Sequence, residues 1–367
     1  MRNNIKSINN NNSQVKVRES GLELFRIITM ILIVAHHYVV NSGIVDYLKI
    51  SPTSFKSLFF YCVGAFGKIG INCFVLITGY FMCRSKITLK KFLKLFLEVM
   101  FYKIIITIIF VIVNPSEWSI KSFIKTILPM TKLSDNFTGC YLVFFLFIPF
   151  LNVLINGLNE KTHGLLLALC LGAFSVFPNI PSFSATINYV MWFMIIYLIG
   201  AYISKYQQKL FSKQKLWIAI SVLSFIFSIL SVVATSILNE KLGTDKSVYY
   251  FVADSNKVLA VITSVSAFIV FKNLKMKYCK TINVIASATF GVLLIHANSD
   301  AMRTWLWRDF LQNKTYVQTN QAYLHVMISV LLVYVVCTII DLLRIYFIEK
   351  PFFKWYDKKS RVIKGEK

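Results

Sequence analysis

Residues 21–40 read GLELFRIITMILIVAHHYVV, an apolar segment with an arginine near one end and two histidines near the other. An α-helix advances about 100° and 1.5 Å per residue, so Arg26 and His37, eleven positions apart, fall within about 20° of one face and about 16 Å apart along the axis. Glu23, three residues before Arg26, joins the same stripe, where its carboxylate can pair with the guanidinium. His36 points about 100° away and reads as a helix–helix contact. An imidazole in a dry cavity is a neutral group that can accept a proton, which suits His37 to general-base catalysis. Arg26 is too far away to touch the atom on which His37 would act, and is better placed to hold an anionic group at the mouth of the site. The plain alternatives are a buried hydrogen bond for His37 and a guanidinium reaching the lipid headgroups for Arg26.

Other residues could carry chemistry further along the chain. Arg84, Lys86, Lys90, Lys91 and Lys94 form a basic cluster that reads either as an ordinary cytoplasmic loop or as a landing patch for phosphates. Glu98 and Lys103 lie inside an apolar run, where lipid exposure is costly, so both are expected to face the protein interior. Gly70 and Gly79 are expected to allow close helix packing, with Asn72 and Thr78 between them as candidate pocket hydrogen-bonders. His296 is followed by Asn298, Asp300 and RTWLWRDF. Trp305 and Trp307 there suit either an interfacial aromatic belt or stacking on a sugar ring, with Arg303, Arg308 and Asp309 bonding its hydroxyls. Asp341 and Arg344 share a helix face and read as structural, and Glu349 and Pro351 are expected to end that helix. The seven cysteines are scattered without a CxxC pair, so neither a disulfide framework nor a metal site is indicated.

The elements that must position these groups are set by composition. Of 367 residues, 56% are hydrophobic and 15% charged, which implies an all-α, polytopic membrane protein in contact with the bilayer. Ten apolar segments approach the length needed to cross it: 22–42, 58–82, 92–113, 139–157, 164–178, 189–203, 216–238, 257–271, 282–298 and 322–347. The net charge of +24 comes from small clusters between these segments rather than from one soluble domain, so nucleic acid is excluded as a partner. Placing both basic tails in the cytoplasm puts most of the cations on that side and requires an even number of crossings. Residues 1–20 read as a polar, Asn-rich tail, 21–350 as the membrane domain and 351–367 as a second basic tail. The first segment carries His36 and His37 and lacks a small-residue cleavage site, so it is not a cleaved signal peptide.

An arginine, ten intervening residues and a histidine on the first helix resemble the signature of the membrane-bound acyltransferase 3 family. GINCFVLITGYF at 70–81 resembles that family's second-helix pattern, and KKFLKLFLEV at 90–99 the basic start of its third helix. YLVFFLFIPFLNVLING at 141–157 is similar to its fourth-helix stretch, SATFGVLLIH at 287–296 to its late Thr-Phe-Gly…His signature, and RIYFIEKPFFKW at 344–355 to its closing Glu-x-Pro. The chain departs from the pattern at TGCYL, where the family often has a tryptophan, and at Lys90, Lys91 and Lys94, which replace arginines. The closest likeness is to acyltransferases of Gram-positive capsule loci, in the plasma membrane and without a soluble hydrolase-like domain.

This resemblance implies a membrane O-acetyltransferase with acetyl-CoA as co-substrate, no bound cofactor or metal, and a cell-surface polysaccharide or lipid-linked sugar as acceptor. It makes His37, Arg26, Glu23 and His296 the catalytic set, and Arg26, Arg84, Lys90, Lys91 and Lys94 the donor-binding set. Asn72, Thr78, Arg303, Trp305, Trp307 and Glu349 become candidates for the acceptor. A flippase or polymerase of the same pathway, or a sensor without turnover, would also be rich in spans, but neither has an evident need for the Arg26/His37 stripe with the late His296. Nothing in the sequence specifies an oligomeric state.

Overall fold

The computed structural model describes residues 19–115, 118–128, 137–180 and 187–363. The polar tail ahead of residue 19, with its basic residues, lies outside them. Ten long apolar helices run through the described chain: α1 (Ser20–Val40), α2 (Phe55–Met82, broken at Ala65–Phe66), α3 (Leu89–Val113), α4 (Phe137–Gly157), α5 (Glu160–Asn179), α6 (Tyr189–Lys205), α7 (Gln214–Leu242), α8 (Val258–Lys272), α9 (Lys280–His296) and α10 (Ala322–Arg361). Four of them start at short polar side chains that accept bonds from otherwise unpaired backbone N–H groups. Ser54 caps α2, Thr88 caps α3, Asn188 caps α6, and Asn159 with Thr162 forms a reciprocal capping box on α5.

Ten crossings are more than length and composition support. Seven helices are long and apolar enough to cross a membrane, or eight if α9 and the helix after it count as one bent span. Two of the expected ten, α6 and α8, have only 17 and 15 residues. After α9 the chain turns by 96° into Asp300–Phe310, whose start is capped by Ser299. The polypeptide is all-α and polytopic.

The end of α10 differs from the expectation. Glu349 and Pro351 do not terminate it: a widened, π-helical turn at Ile345–Glu349 precedes the proline, and the helix continues beyond it. Such a turn, in which Lys350 N–H reaches back to the Ile345 carbonyl, shifts the hydrogen-bond register just ahead of a residue that has no N–H to donate.

Side-chain and backbone contacts gather the connections at two ends. At one end Lys49 pairs with Asp245 at 2.9 Å, Thr53 bonds Glu240, and Lys56 reaches the carbonyls of Val317 and Thr319. At the other, Ser20 accepts from Cys279 N–H and the Asn283 amide, Lys90 pairs with Asp357, and Gln208 bonds Glu160. Helices α2 and α6 pack backbone to backbone: a Cβ on Gly79 would lie 2.5 Å from the Tyr197 carbonyl oxygen, and one on Gly200 would lie 2.6 Å from that of Leu76. Helix α1 sits centrally, in contact with α2, α8, α9 and α10.

Candidate active site

Helix α1 is continuous from Ser20 to Val40, so the 16 Å offset between Arg26 and His37 expected from helical rise holds. His296 occupies the last turn of α9, just before the chain bends. The two helices bring His37 Nδ1 and His296 Nε2 to 2.9 Å, while His296 Nδ1 lies 2.6 Å from the carbonyl oxygen of Val292. A carbonyl only accepts, so His296 Nδ1 carries a proton, and in the neutral ring its Nε2 is a lone pair. That lone pair accepts from His37 Nδ1–H. His37 is thereby left with Nε2 unprotonated and with no protein partner among the described residues. A ring held in one tautomer, with its second nitrogen free, is equipped to take a proton or to attack a carbonyl.

His37 lines a cavity of about 700 Å³. His36 makes the helix–helix contact expected of it and lines the cavity too. Its Nδ1 donates to the Gly64 carbonyl at 2.5 Å, and its ring lies so close to Gly67 that no Cβ fits there. Because α1 is surrounded by other helices, residues 100° apart can both face the interior. Lys68 and Lys103 also reach this cavity, with Tyr189, Trp118, Phe137, Asp300 and Arg303. Lys68 Nζ donates to the Tyr189 hydroxyl at 2.5 Å and Lys103 Nζ to the Asn298 carbonyl. The interior position expected for Lys103 is the observed one; no motif pointed to Lys68, Tyr189 or Phe137 as neighbours of the histidines.

The remaining expected site residues divide among other places. Arg26 pairs with Glu23 at 3.2 Å, lower on α1. Lys94 pairs with Glu349 at 2.7 Å and Lys90 with Asp357 at 2.7 Å, while Lys91 bonds Ser85 and the Lys86 carbonyl. Arg84 is exposed. Glu349 also bonds Arg344, which in turn holds Glu98 at 3.0 Å and Asp341 at 2.7 Å. Lys94, Glu98, Arg344 and Glu349 border a second cavity of about 730 Å³ that shares no lining residue with the first.

Of the residues expected near an acceptor, Arg303 alone lines the histidine cavity. Asn72 is occupied, donating to the Ser255 carbonyl and accepting from the Trp192 indole, and Thr78 is bonded to Tyr141 at 2.9 Å. Trp305 stacks on Phe310. Trp307 is fully buried, edge-on to His296 and Tyr38, so it backs the histidine pair instead of presenting a face to the cavity.

The family pattern described as an acyltransferase domain matches residues 19–342, which span α1 through the first half of α10. The chain belongs to the acyltransferase 3 family. The matched stretch contains His37, His296 and every residue that lines the histidine cavity, whereas the second cavity is lined in part by Leu343 to Lys350, beyond it. No curated protein and no solved structure matches the chain. Family membership makes it a membrane acyltransferase in type, with the histidine cavity as the candidate place for its chemistry.

Proposed function

We propose that this acyltransferase moves an acetyl group from acetyl-CoA to a hydroxyl of a cell-surface polysaccharide or lipid-linked sugar at the plasma membrane. The observation that carries the reading is the bonded series Val292 carbonyl, His296, His37, which leaves one nitrogen of His37 without a protein partner on a residue that lines a cavity of ligand size. In the reaction, His37 Nε2 takes the proton of the sugar hydroxyl as its oxygen forms a bond to the thioester carbonyl carbon. The C–S bond then breaks, CoA leaves as the thiolate, and the imidazolium returns the proton, giving CoA thiol and an O-acetyl ester.

His296 orients the base and acts only through it. Arg26, about 16 Å below His37, suits the phosphates of a donor entering from the cytoplasm, with its extended pantetheine arm carrying the thioester upward. Arg84 and Lys91 suit the first electrostatic capture of that donor, and Lys90 and Lys94 join it only by sharing charge with Asp357 and Glu349. In this reading α6, α8 and the bent pair also cross the bilayer. Both termini then lie in the cytoplasm, as the clustering of cations at one end favours.

The test supplies membranes containing the protein with labelled acetyl-CoA and bacterial surface glycan. His37→Ala is expected to abolish transfer while folded protein remains in the membrane, and Arg26→Ala to raise the KM for acetyl-CoA. Unimpaired transfer by the His37 variant refutes the mechanism. Label retained on the protein in the absence of glycan would instead make His37 an acyl carrier.

A further inference from the structure

The histidine cavity holds more positive charge than a neutral sugar requires. Lys68, Lys103, Lys125 and Arg303 reach its wall against one described carboxylate, Asp300, and Asp300 is already paired with Arg303. The ammonium groups of Lys68 and Lys103 bond a phenol and a backbone carbonyl, and neither lies within ion-pair distance of a carboxylate among the described residues. Ammonium groups part-way along helices of a membrane bundle are costly to hold without a counter-charge, and such groups mark sites. Trp118, Phe137 and Tyr189 line the same cavity and bring aromatic surface beside the charges. An inorganic anion needs neither that surface nor about 700 Å³, whereas a short stretch of charged glycan uses both.

Resting on the acyl-transfer reading above, we infer that the acceptor is an anionic glycan, whose carboxylate or phosphate is held by Lys68 and Lys103 while a nearby hydroxyl meets His37. The register supports closeness of the two. Lys68 directly follows Gly67, which lies against the His36 ring, and Lys103 bonds the carbonyl two residues beyond His296. The negative group therefore belongs to the acetylated sugar or to its neighbour.

Diethyl pyrocarbonate, which modifies unprotonated imidazole nitrogen, gives a readout independent of turnover. The protein in lipid nanodiscs is treated with the reagent in the presence of a hyaluronan-derived tetrasaccharide, a phosphodiester-linked sugar tetramer or neutral maltotetraose, and modification of His37 is followed by mass spectrometry. The charged oligomers are expected to protect His37 and maltotetraose to leave it reactive. In Lys68→Gln/Lys103→Gln the protecting concentration is expected to rise about tenfold or more, as loss of charge-assisted bonds implies. Lys68→Arg/Lys103→Arg, which keeps the charge, is expected to retain protection and controls for folding. In the transfer assay the glutamine variant should raise the KM for acceptor and leave that for acetyl-CoA in place. Protection by one charged oligomer alone identifies carboxylate or phosphate as the group held. Equal protection by maltotetraose, protection by none of the three, or an effect confined to acetyl-CoA overturns the inference. Charge-dependent protection without acetyl transfer to any glycan upholds the anion site and overturns the acyl-transfer reading instead.

Discussion

At the scale of single residues, the role proposed for His37 as a base depends on His296. It touches no open space itself; it accepts the Nδ1–H of His37 and is fixed in turn by the Val292 carbonyl. Removing it frees the His37 ring to rotate and to carry its proton on the wrong nitrogen. His296→Ala is therefore expected to lower kcat by about 10- to 100-fold, the scale of losing an orienting partner, with the KM values for both substrates little changed. A purely structural role would instead lower the amount of folded protein and leave the kcat per folded molecule intact, so the two are separated by steady-state kinetics normalised to active protein. The Arg26/His37 stripe was legible because a helix repeats every 3.6 residues, and His296 because it closes a recognisable motif. The place of His36 and Lys68 on the cavity wall was not. Periodicity counts faces of one helix, whereas the cavity is shaped by what surrounds α1, and the close approach of Gly67 to the His36 ring depends on two helices meeting.

At the scale of elements, one guanidinium ties together α3 and both parts of α10. Arg344 is buried and meets Glu98, Asp341 and Glu349, while Tyr102 donates to Asp341 at 2.8 Å. Withdrawing the cation leaves three carboxylates crowded in a buried place, and breaking a buried ion pair in this way costs about 3–5 kcal/mol. Lys90 and Asp357 also join α3 to α10, but both side chains are 44% exposed, so solvent screens the pair and its worth is about 0–1 kcal/mol. Arg344→Met is accordingly expected to lower the thermal unfolding midpoint in detergent sharply, and Lys90→Met barely at all. Comparable shifts in the two variants would show that the network does not hold these helices together. The sequence marked Asp341 with Arg344 as a structural pair, because three residues on a helix share a face. It did not reveal Glu98 and Glu349 as further partners of the same arginine. Nor did it foresee that α10 passes through Pro351, since the widened turn that allows this is a backbone adjustment with no signature in residue type.

At the scale of the whole molecule, the order of the helices and the placement of charge make one claim about orientation. All ten apolar runs read from the sequence lie within observed helices or overrun an end by at most two residues, because burial in lipid or protein demands continuous apolar residues. Whether α6, α8 and the bent pair cross the bilayer is not fixed by hydropathy, since they pack against other helices and need less lipid-facing length. Contacts nevertheless join the loops around Lys49, Asp245 and Val317 at one end, and those around Ser20, Glu160, Gln208, Cys279 and Asp357 at the other. If the second end is cytoplasmic, as its lysine content favours, single cysteines at the two ends must respond oppositely to a membrane-impermeant thiol reagent applied to intact cells. Cys62, Cys83, Cys170 and Cys279 are partly exposed and are first replaced by serine, whereas Cys73, Cys140 and Cys337 are buried and stay. Ser51→Cys, Lys246→Cys and Lys314→Cys, at exposed positions, are then expected to react from outside. Lys213→Cys and Lys277→Cys, also exposed, should react only after the cells are permeabilised. Labelling of Lys213→Cys or Lys277→Cys in intact cells would mean that the helices before it cross an odd number of times, and would remove the cytoplasmic route by which acetyl-CoA is proposed to reach His37.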